Sequence, residues 1–126
     1  MSEMGKLGDW VESYRNGYGV RPAVGEAGPI VLRIADVSSG QIDLSAPRRG
    51  AVSLKNALTY RLHPGDLLFI RVNGSREIVG RCSVVGTDVP MDTIFNDHLI
   101  RVRLKPGLNP EFARLCVSLP GARARI

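Results

Sequence analysis

The sequence predicts a single α+β domain spanning residues 1–126, built on a twisted, mostly antiparallel sheet with a few short helices. Three observations support this class. The chain has 126 residues and is 44% hydrophobic, which suits one packed core. Short segments of alternating apolar and polar residues, bounded by Gly, Pro and Asn, are typical of strands. One late segment combines helix-capping residues with apolar residues at helical spacing.

The first half of the chain predicts two strands and a short helix. Residues 30–34 follow a Gly-Pro turn and alternate between two faces, which indicates a strand. Residues 41–44 predict a second, shorter strand. Ser53 is a suitable N-cap for a helix that ends near Arg61. One face of this helix would carry Leu54, Ala57 and Leu58.

The second half predicts a central hairpin and a basic strand. After a Pro-Gly-Asp turn, residues 67–72 form an apolar strand, and residues 77–85 return as a valine-rich strand. In residues 100–104, apolar side chains alternate with Arg101 and Arg103. We therefore expect both arginines on a solvent-exposed face of the sheet. The aromatic side chains expected in the core are those of Trp10, Phe69 and Phe112.

The clearest helix signal comes late in the chain. Asn109 suits the N-cap, Pro110 the first helical position, and Glu111 the positive end of the helix dipole. Residues 120–121, Pro-Gly, would end the helix. These residues do not match an adenine-methyltransferase motif, because Glu111 stands where a second proline would be. The apolar stripe of the helix consists of Phe112, Leu115, Cys116 and Leu119.

The charge of the chain favours a nucleic-acid partner. Its net charge is +5, and it has 14 arginines but only 3 lysines. The planar guanidinium group suits phosphate and guanine, although a GC-rich genome would produce the same bias. The sequence contains no apolar run of the ~20 residues that a membrane span requires, and no apolar signal segment. We therefore expect a cytoplasmic protein.

The sequence contains no recognisable catalytic or cofactor motif. It lacks a Walker phosphate loop, and the pair Gly17 and Gly19 is too fragmentary for a dinucleotide fingerprint. Four residues could ligate zinc but follow no metal-site spacing: Cys82, Cys116, His63 and His98. The sequence thus predicts a non-enzyme with no cofactor and no metal. A small enzyme that uses Asp97 and His98 is an alternative interpretation.

Side chains suited to DNA contacts fall in the predicted loops. The tip of the central hairpin would hold Arg71, Asn73, Ser75, Arg76 and Arg81. Two other loops would add Arg48, Arg49, Asn96 and His98. Arginine and asparagine read base edges, and arginine also binds phosphate. Residues 73–74, Asn-Gly, also fit a plain type I′ turn. We expect Asp36 and Asp66 to fix turns or to orient arginines.

Four blocks carry a family resemblance. They are Lys6-Leu7-Gly8-Asp9, residues 30–37 with Gly40-Gln41-Ile42-Asp43, residues 65–81 from Gly65-Asp66 to Gly80-Arg81, and residues 95–102 from Phe95-Asn96-Asp97-His98. Taken in order, they resemble a target-recognition domain from the DNA specificity subunit of type I restriction-modification systems. The resemblance implies a domain that recognises one half of a split site in double-stranded DNA.

The resemblance also implies partners. These are a modification (methyltransferase) subunit, a restriction subunit that cleaves elsewhere, and a second specificity half. Typical subunits carry two such domains joined by long spacer helices, and from the resemblance we expect residues 1–126 to contain neither the spacer helix nor a second domain. A fragment, a truncated gene and a half-subunit are the three interpretations. The alternative function is a protein-interaction module that docks a methyltransferase partner without reading bases.

Overall fold

The structure, a computed structural model, describes residues 7–20, 27–37, 40–71 and 78–117. These ranges contain one 3-10 turn, six strands and three α-helices. The turn is Leu7–Trp10, and the strands are β1 (Val11–Asn16), β2 (Val31–Leu32), β3 (Leu67–Arg71), β4 (Ile78–Val84), β5 (Ile94–Phe95) and β6 (Leu99–Leu104). The helices are α1 (Ile34–Val37), α2 (Leu54–Tyr60) and α3 (Pro110–Val117).

The main sheet has four strands in the order β1-β6-β3-β4, and every neighbouring pair is antiparallel. The strands β2 and β5 form a separate two-stranded sheet and run parallel. The predicted α+β class with a mostly antiparallel sheet is therefore confirmed. No helix in the described ranges has the length and apolar character needed to cross a membrane.

The main sheet is the middle layer of the fold. Successive side chains of a strand point to opposite faces, so β3 contributes to two separate cores. Leu67 and Phe69 pack with Ala113 of α3 on one face. Leu68 and Ile70 pack on the other face with residues of β2 and β5. The helix α3 and the two-stranded sheet therefore lie on opposite faces of the main sheet.

The strand predicted over residues 30–34 is shorter than expected and does not alternate. Only Val31–Leu32 is a strand, and residues 30–32 are all buried, because this small sheet is covered on both sides. The next residues form α1, since the Asp36 carboxylate accepts hydrogen bonds from the Arg33 amide (2.9 Å) and its guanidinium group. An acid at the third helical position commonly binds the N-cap amide in this way. The role predicted for Asp36 is confirmed.

Residues 41–44 do not form the predicted strand. The Asp43 amide donates to the Asp36 carbonyl group (2.7 Å), and the Asp43 carboxylate accepts from the Ser45 amide (2.9 Å). This local hydrogen bond bends the chain, because an aspartate that binds the backbone two residues on mimics a turn. The alternation of Ile42 and Leu44 instead places both side chains against the core as partly buried residues.

Both longer helices begin as predicted, but their predicted apolar faces are largely exposed. Ser53 Oγ accepts from the Asn56 amide (3.2 Å), and Asn109 Oδ1 accepts from the Glu111 and Phe112 amides (2.8 and 3.2 Å). The small Ala113, and not Phe112, is buried against the sheet. Four apolar residues on these helices are exposed: Leu54, Leu58, Phe112 and Leu115. The side chains of Cys116 and Leu119 lie outside the described residues.

The prediction that Trp10 and Phe112 belong to the core is wrong. Trp10 is 37% exposed and Phe112 is 44% exposed, whereas Phe69 is buried as expected. Trp10 ends the 3-10 turn at the edge of the main sheet, where its carbonyl group accepts from the Lys105 amide (2.7 Å). An indole ring at a sheet edge has neighbours on one side only, so it keeps a partly exposed surface.

The expectation that Arg101 and Arg103 face solvent is also wrong. Arg101 is only 5% exposed, and Arg103 forms two hydrogen bonds of 2.8 Å with the Asp66 carboxylate. The sheet face that carries both arginines also carries Leu68, and Leu62 packs there. Because this face is covered, its cations are enclosed. Asp66 also accepts from the His63 amide (2.8 Å), so its predicted role is confirmed.

Candidate nucleic-acid interface

Four backbone segments lie side by side on the face of the main sheet opposite α3. The strands β2 and β5 form the centre. On one side Tyr18 forms a parallel bridge with Asn96, and its amide donates to the Phe95 carbonyl group (2.8 Å). On the other side Arg49 forms an antiparallel bridge with Ile30. The Val31 amide also donates to the Arg48 carbonyl group (2.8 Å). Backbone hydrogen bonds therefore fix the positions of all four segments.

Three of these segments run in the same direction, so their carboxyl ends meet at one edge. There Tyr18 and Gly19 follow β1, Arg33 follows β2, and residues 96–98 follow β5. Together with the loop that carries Arg48 and Arg49, they enclose a cavity of about 490 Å³. The lining residues are Tyr18, Gly19, Val20, Val31, Arg33, Arg48, Arg49, Gly50, Asn96, Asp97 and His98. We call this the arginine cavity.

A glycine allows the first of these segments to approach β5. An added Cβ atom at Gly17 would overlap the backbone carbonyl group of Asn96. We expect Gly17→Ala to lower the free energy of unfolding by about 1–3 kcal/mol, because the backbone must shift to accept the methyl group. Urea denaturation measures the effect. The matched control is Gly19→Ala, whose Cβ would lie 3.6 Å from Asp97 Oδ2 in ordinary contact. Equal stability of the two variants would contradict this close approach.

The three arginines of the cavity differ in the partners of their side chains. Arg33 is paired with Asp36 (2.9 Å), and this hydrogen bond raises the pKa of Arg33. Arg49 Nη1 donates to the Gly28 carbonyl group (3.0 Å), which holds the side chain without neutralising its charge. Arg48 is exposed and has no side-chain partner among the described residues. Two guanidinium groups that no described carboxylate compensates, placed at one concave site, attract an anion.

Asn96 and His98 form a turn that also contacts the central hairpin. Asn96 Oδ1 accepts from the His98 amide (3.0 Å), so the carbonyl oxygen of this side chain is used to shape the turn. The His98 carbonyl group accepts from the Arg71 amide (2.7 Å). Arg71 is the exposed last residue of β3. The strand β3 therefore ends beside the rim of the arginine cavity.

The structure brings together four of the predicted site residues and places a fifth beside them. Around the cavity lie Arg48, Arg49, Asn96 and His98, and Arg71 lies at its rim. Asn73, Ser75 and Arg76 lie outside the described residues. Arg81 belongs to β4, and its side chain also lies outside the description. The pairing of β3 with β4 shifts between Ile70↔Val79 and Phe69↔Cys82, so residues 80–81 form a bulge in β4.

Sequence reasoning missed Tyr18 and Arg33 as lining residues. Tyr18 lies in a Gly-Tyr-Gly loop signal, but no local pattern shows that this loop meets β5. Tyr18 also contacts Tyr60 edge to face, with ring centroids 5.4 Å apart, and Tyr60 packs the same way on Phe95 (6.4 Å). This aromatic contact supports one wall of the cavity.

The described residues offer no arrangement for metal or thiol chemistry. They contain no group of three or more His, Cys, Asp or Glu side chains that could hold a metal ion. Burial raises the pKa of the Cys82 thiol to about 12, so it stays protonated and unreactive. Within the same residues, the side chains of Asp97 and His98 form no hydrogen bond that would position a general base.

The α+β fold with a cationic cavity on one sheet face is the arrangement expected of a protein that binds an anionic partner. Comparison with known proteins makes this class specific. The chain is 36% identical over 109 residues to the type I restriction enzyme EcoKI specificity subunit of Escherichia coli (strain K12), covering 86% of this chain and 24% of that protein. It is 32% identical over 98 residues to the StySPI specificity subunit of Salmonella potsdam, covering 78% of this chain and 21% of that protein.

The chain is thus related to the specificity subunits of type I restriction enzymes. This relationship confirms the family resemblance predicted from the sequence and supports a target-recognition domain. The chain spans less than a quarter of the length of either relative. No family model matches the chain.

Proposed function

We propose that this chain binds double-stranded DNA sequence-specifically and reads one half of a split site for a type I restriction-modification complex. The observation that carries the proposal is the arginine cavity. Segments that are distant in sequence bring Arg48, Arg49, Asn96 and His98 to one concave site, with Arg71 at the rim. These are the residue types that contact phosphates and base edges.

The rigidity of the site suits base reading. Arg48 and Arg49 lie on a segment that is hydrogen-bonded to β2, so their backbone positions are fixed. The Arg48 side chain forms no hydrogen bond with another described residue, so its donors are available to a ligand within that part of the chain. Asn96 Oδ1 is occupied by the turn, and no described residue accepts from its amide hydrogens or pairs with the His98 imidazole, so both can meet acceptor groups of a ligand. A bidentate contact between arginine and guanine contributes ~1–3 kcal/mol of discrimination. Asn73, Ser75 and Arg76, which were predicted from the sequence, are further candidate contacts in this proposal.

The partners follow from the relatives. Both are specificity subunits of restriction enzymes, so the proposal includes assembly with a modification (methyltransferase) subunit and a restriction subunit. In this proposal the chain itself is not catalytic, and the cytoplasm is where it acts.

A salt-dependent binding titration tests the proposal. The full chain is titrated with duplex DNA at several salt concentrations, with and without a modification subunit, and bound sequences are selected from a random duplex pool. We expect log K to fall with log salt by about 0.9 per phosphate contact, and one short sequence to be enriched. A flat salt response, or a pool that stays random in both conditions, would refute sequence-specific DNA binding.

The exposed apolar surface of α3 favours a second candidate function. Phe112 and Leu115 are 44% and 54% exposed on the face of the sheet opposite the arginine cavity. Phe112 and Leu115 are three residues apart on α3 and so lie on one side of the helix. Contiguous exposed apolar surface commonly marks a protein contact, so a module that docks a methyltransferase without reading bases would use this surface. For such a module, replacing Phe112 with serine would abolish assembly with the modification subunit. If the chain reads DNA, the same variant would bind DNA, as an isolated chain, with unchanged affinity.

A further inference from the structure

A second group of arginines lies on the same sheet face as the arginine cavity. Arg15 of β1 is directly opposite Arg101 of β6, and Ser13 is opposite Arg103. Side chains of such cross-strand partners point to the same face. His63 belongs to this group, because its amide donates to the Asp66 carboxylate that Arg103 also contacts (2.8 Å each), and Arg61 lies two residues before it. Burial, and then the charges of Arg103, Arg61 and Arg101, lower the pKa of His63. We call these side chains the second cluster: Arg15, Arg61, His63, Arg101 and Arg103.

The second cluster has more positive charge than its carboxylates neutralise. Both oxygens of Asp66 accept from Arg103, so this carboxylate is fully used. Glu12 is the other acid whose charge reaches Arg101 and Arg103, and it is exposed. Arg101 itself forms no ion pair within the described residues. A buried cation without a paired anion is costly, so this arrangement requires an explanation.

Two buried donors of the second cluster also lack hydrogen-bond acceptors. Arg101 is 5% exposed and donates from Nη2 to Ser13 Oγ (3.1 Å), but its buried Nε has no acceptor among the described residues. The Nε atom of Arg61 is likewise buried without an acceptor. Burial and the neighbouring Arg103 lower the pKa of Arg101. Buried guanidinium donors of a purely structural arginine are normally satisfied.

The cluster adjoins the arginine cavity through two aromatic rings. The guanidinium carbon of Arg15 lies 5.9 Å from the ring centroid of Tyr60, a cation–π distance. Tyr60 contacts Tyr18 edge to face, and Tyr18 lines the cavity. A linear polyanion that enters the cavity would therefore pass the second cluster on the same face of the sheet.

We infer that the second cluster is a binding site for a phosphate group, which the DNA backbone supplies when bases are read at the arginine cavity. A phosphate carries the negative charge that Arg101 lacks, and it would contact the exposed side of the cluster, where Arg15 and His63 lie, because the Nε atoms of Arg101 and Arg61 are buried. The choice of DNA as the source rests on the proposed function. The anion site itself rests only on the charges and unpaired donors of the second cluster.

The two histidines of the chain report on the two sites separately. His63 lies in the second cluster, facing Arg61, Asp66, Arg101 and Arg103, and His98 lies at the cavity. Imidazole NMR titrations of the full chain measure both pKa values without ligand, with inorganic phosphate and with duplex DNA. Both phosphate sources should raise the pKa of His63, because a nearby anion offsets the charge of the arginines. An unchanged His63 pKa with both ligands would overturn the inference.

The variant Arg101→Met isolates the second cluster. We expect about tenfold weaker DNA binding, a salt slope reduced by about 1, and loss of the phosphate response of His63, with an unchanged or higher Tm. The matched control Arg114→Met, on the opposite face of the sheet, should leave DNA binding unchanged. Unaltered DNA affinity and His63 response in Arg101→Met would refute the site. If this variant does not fold, the exposed Arg15→Met gives the same test.

Failure of the proposed function is distinguishable from failure of this inference. If inorganic phosphate raises the pKa of His63 in the natural chain but not in Arg101→Met, the anion site stands. If duplex DNA then has no effect on His63 or His98, the phosphate comes from another source and the proposed DNA reading is wrong. An adventitious surface effect would shift His63 equally in the natural chain and in Arg101→Met, and would refute the site.

Discussion

Replacing Asp66 with alanine is expected to lower the free energy of unfolding by about 3–5 kcal/mol. Asp66 is 1% exposed and accepts from Arg103 Nε and Nη2 and from the His63 amide, all at 2.8 Å. Alanine would leave Arg103 unpaired beside the buried Arg101. The loss is large because an uncompensated charge remains in a covered layer, and not because the ion pair itself is strong.

Urea denaturation with a matched ion pair tests this expectation. Glu111→Ala breaks the Arg114–Glu111 pair of 2.9 Å, in which the Glu111 side chain is 63% exposed. Such exposed pairs contribute ~0–1 kcal/mol, so this control should change stability little. Asp66→Asn keeps the shape of the side chain and some of its hydrogen bonds. Its loss of unfolding free energy should therefore lie between the losses of Asp66→Ala and Glu111→Ala. If Asp66→Ala lowered the free energy of unfolding no more than Glu111→Ala does, the assignment of Asp66 as the carboxylate that compensates Arg103 in the covered layer would be wrong.

Removing Arg48 and Arg49 should weaken DNA binding by about 100-fold, since each lost contact costs ~1.4 kcal/mol. Arg48 and Arg49 line one side of the cavity and have no carboxylate partner among the described residues. The double variant Arg48→Ala with Arg49→Ala leaves Arg33, which Asp36 already neutralises. Fluorescence anisotropy with a selected duplex measures the loss and the accompanying decrease in salt slope.

Two controls separate this effect from a loss of folding. Arg114→Ala removes an arginine from α3 on the opposite face and should bind DNA like the natural chain. Arg49 Nη1 donates to the Gly28 carbonyl group, so the double variant should lose about 1 kcal/mol of stability and stay folded. A double variant that binds as tightly as Arg114→Ala would exclude the arginine cavity as the DNA contact.

Features set by local hydrogen bonds were predictable from the sequence. Asn109 and Ser53 start their helices as expected, because a side-chain acceptor needs only the next two or three residues. The apolar strands β3 and β4 were predictable for a similar reason, since a hairpin pairs neighbouring segments. The carboxylates of Asp36 and Asp66 also act on turns a few residues away.

Features set by distant segments were not predictable. Arg101 and Arg103 alternate with apolar residues like any half-exposed strand, and nothing local shows that their face is covered. The prediction that the apolar stripe of α3 is buried is wrong for the opposite reason. The sheet packs against the small Ala113 and leaves the larger Phe112 exposed.

The candidate site was also predictable in its residue types and not in how distant segments bring them together. The residue types at 48–49 and 96–98 indicated DNA contacts, but their meeting depends on the parallel pairing of β2 with β5. Parallel strands are joined by long connections, so no short motif encodes the pairing. Tyr18 reaches the site through its bridge with Asn96, which is equally remote in sequence.

The pairing of β1 with β6 constrains how this protein is made. Val11 lies opposite Leu104, and Asn16 opposite Ile100, so the first strand of the main sheet pairs with the last. During synthesis β1 leaves the ribosome long before its partner exists, and such non-local pairing slows folding. Until then, β1 presents an unpaired edge, a template for association with other chains. We therefore expect the β1–β6 pairing to be among the last steps of folding, after residue 104 has left the ribosome.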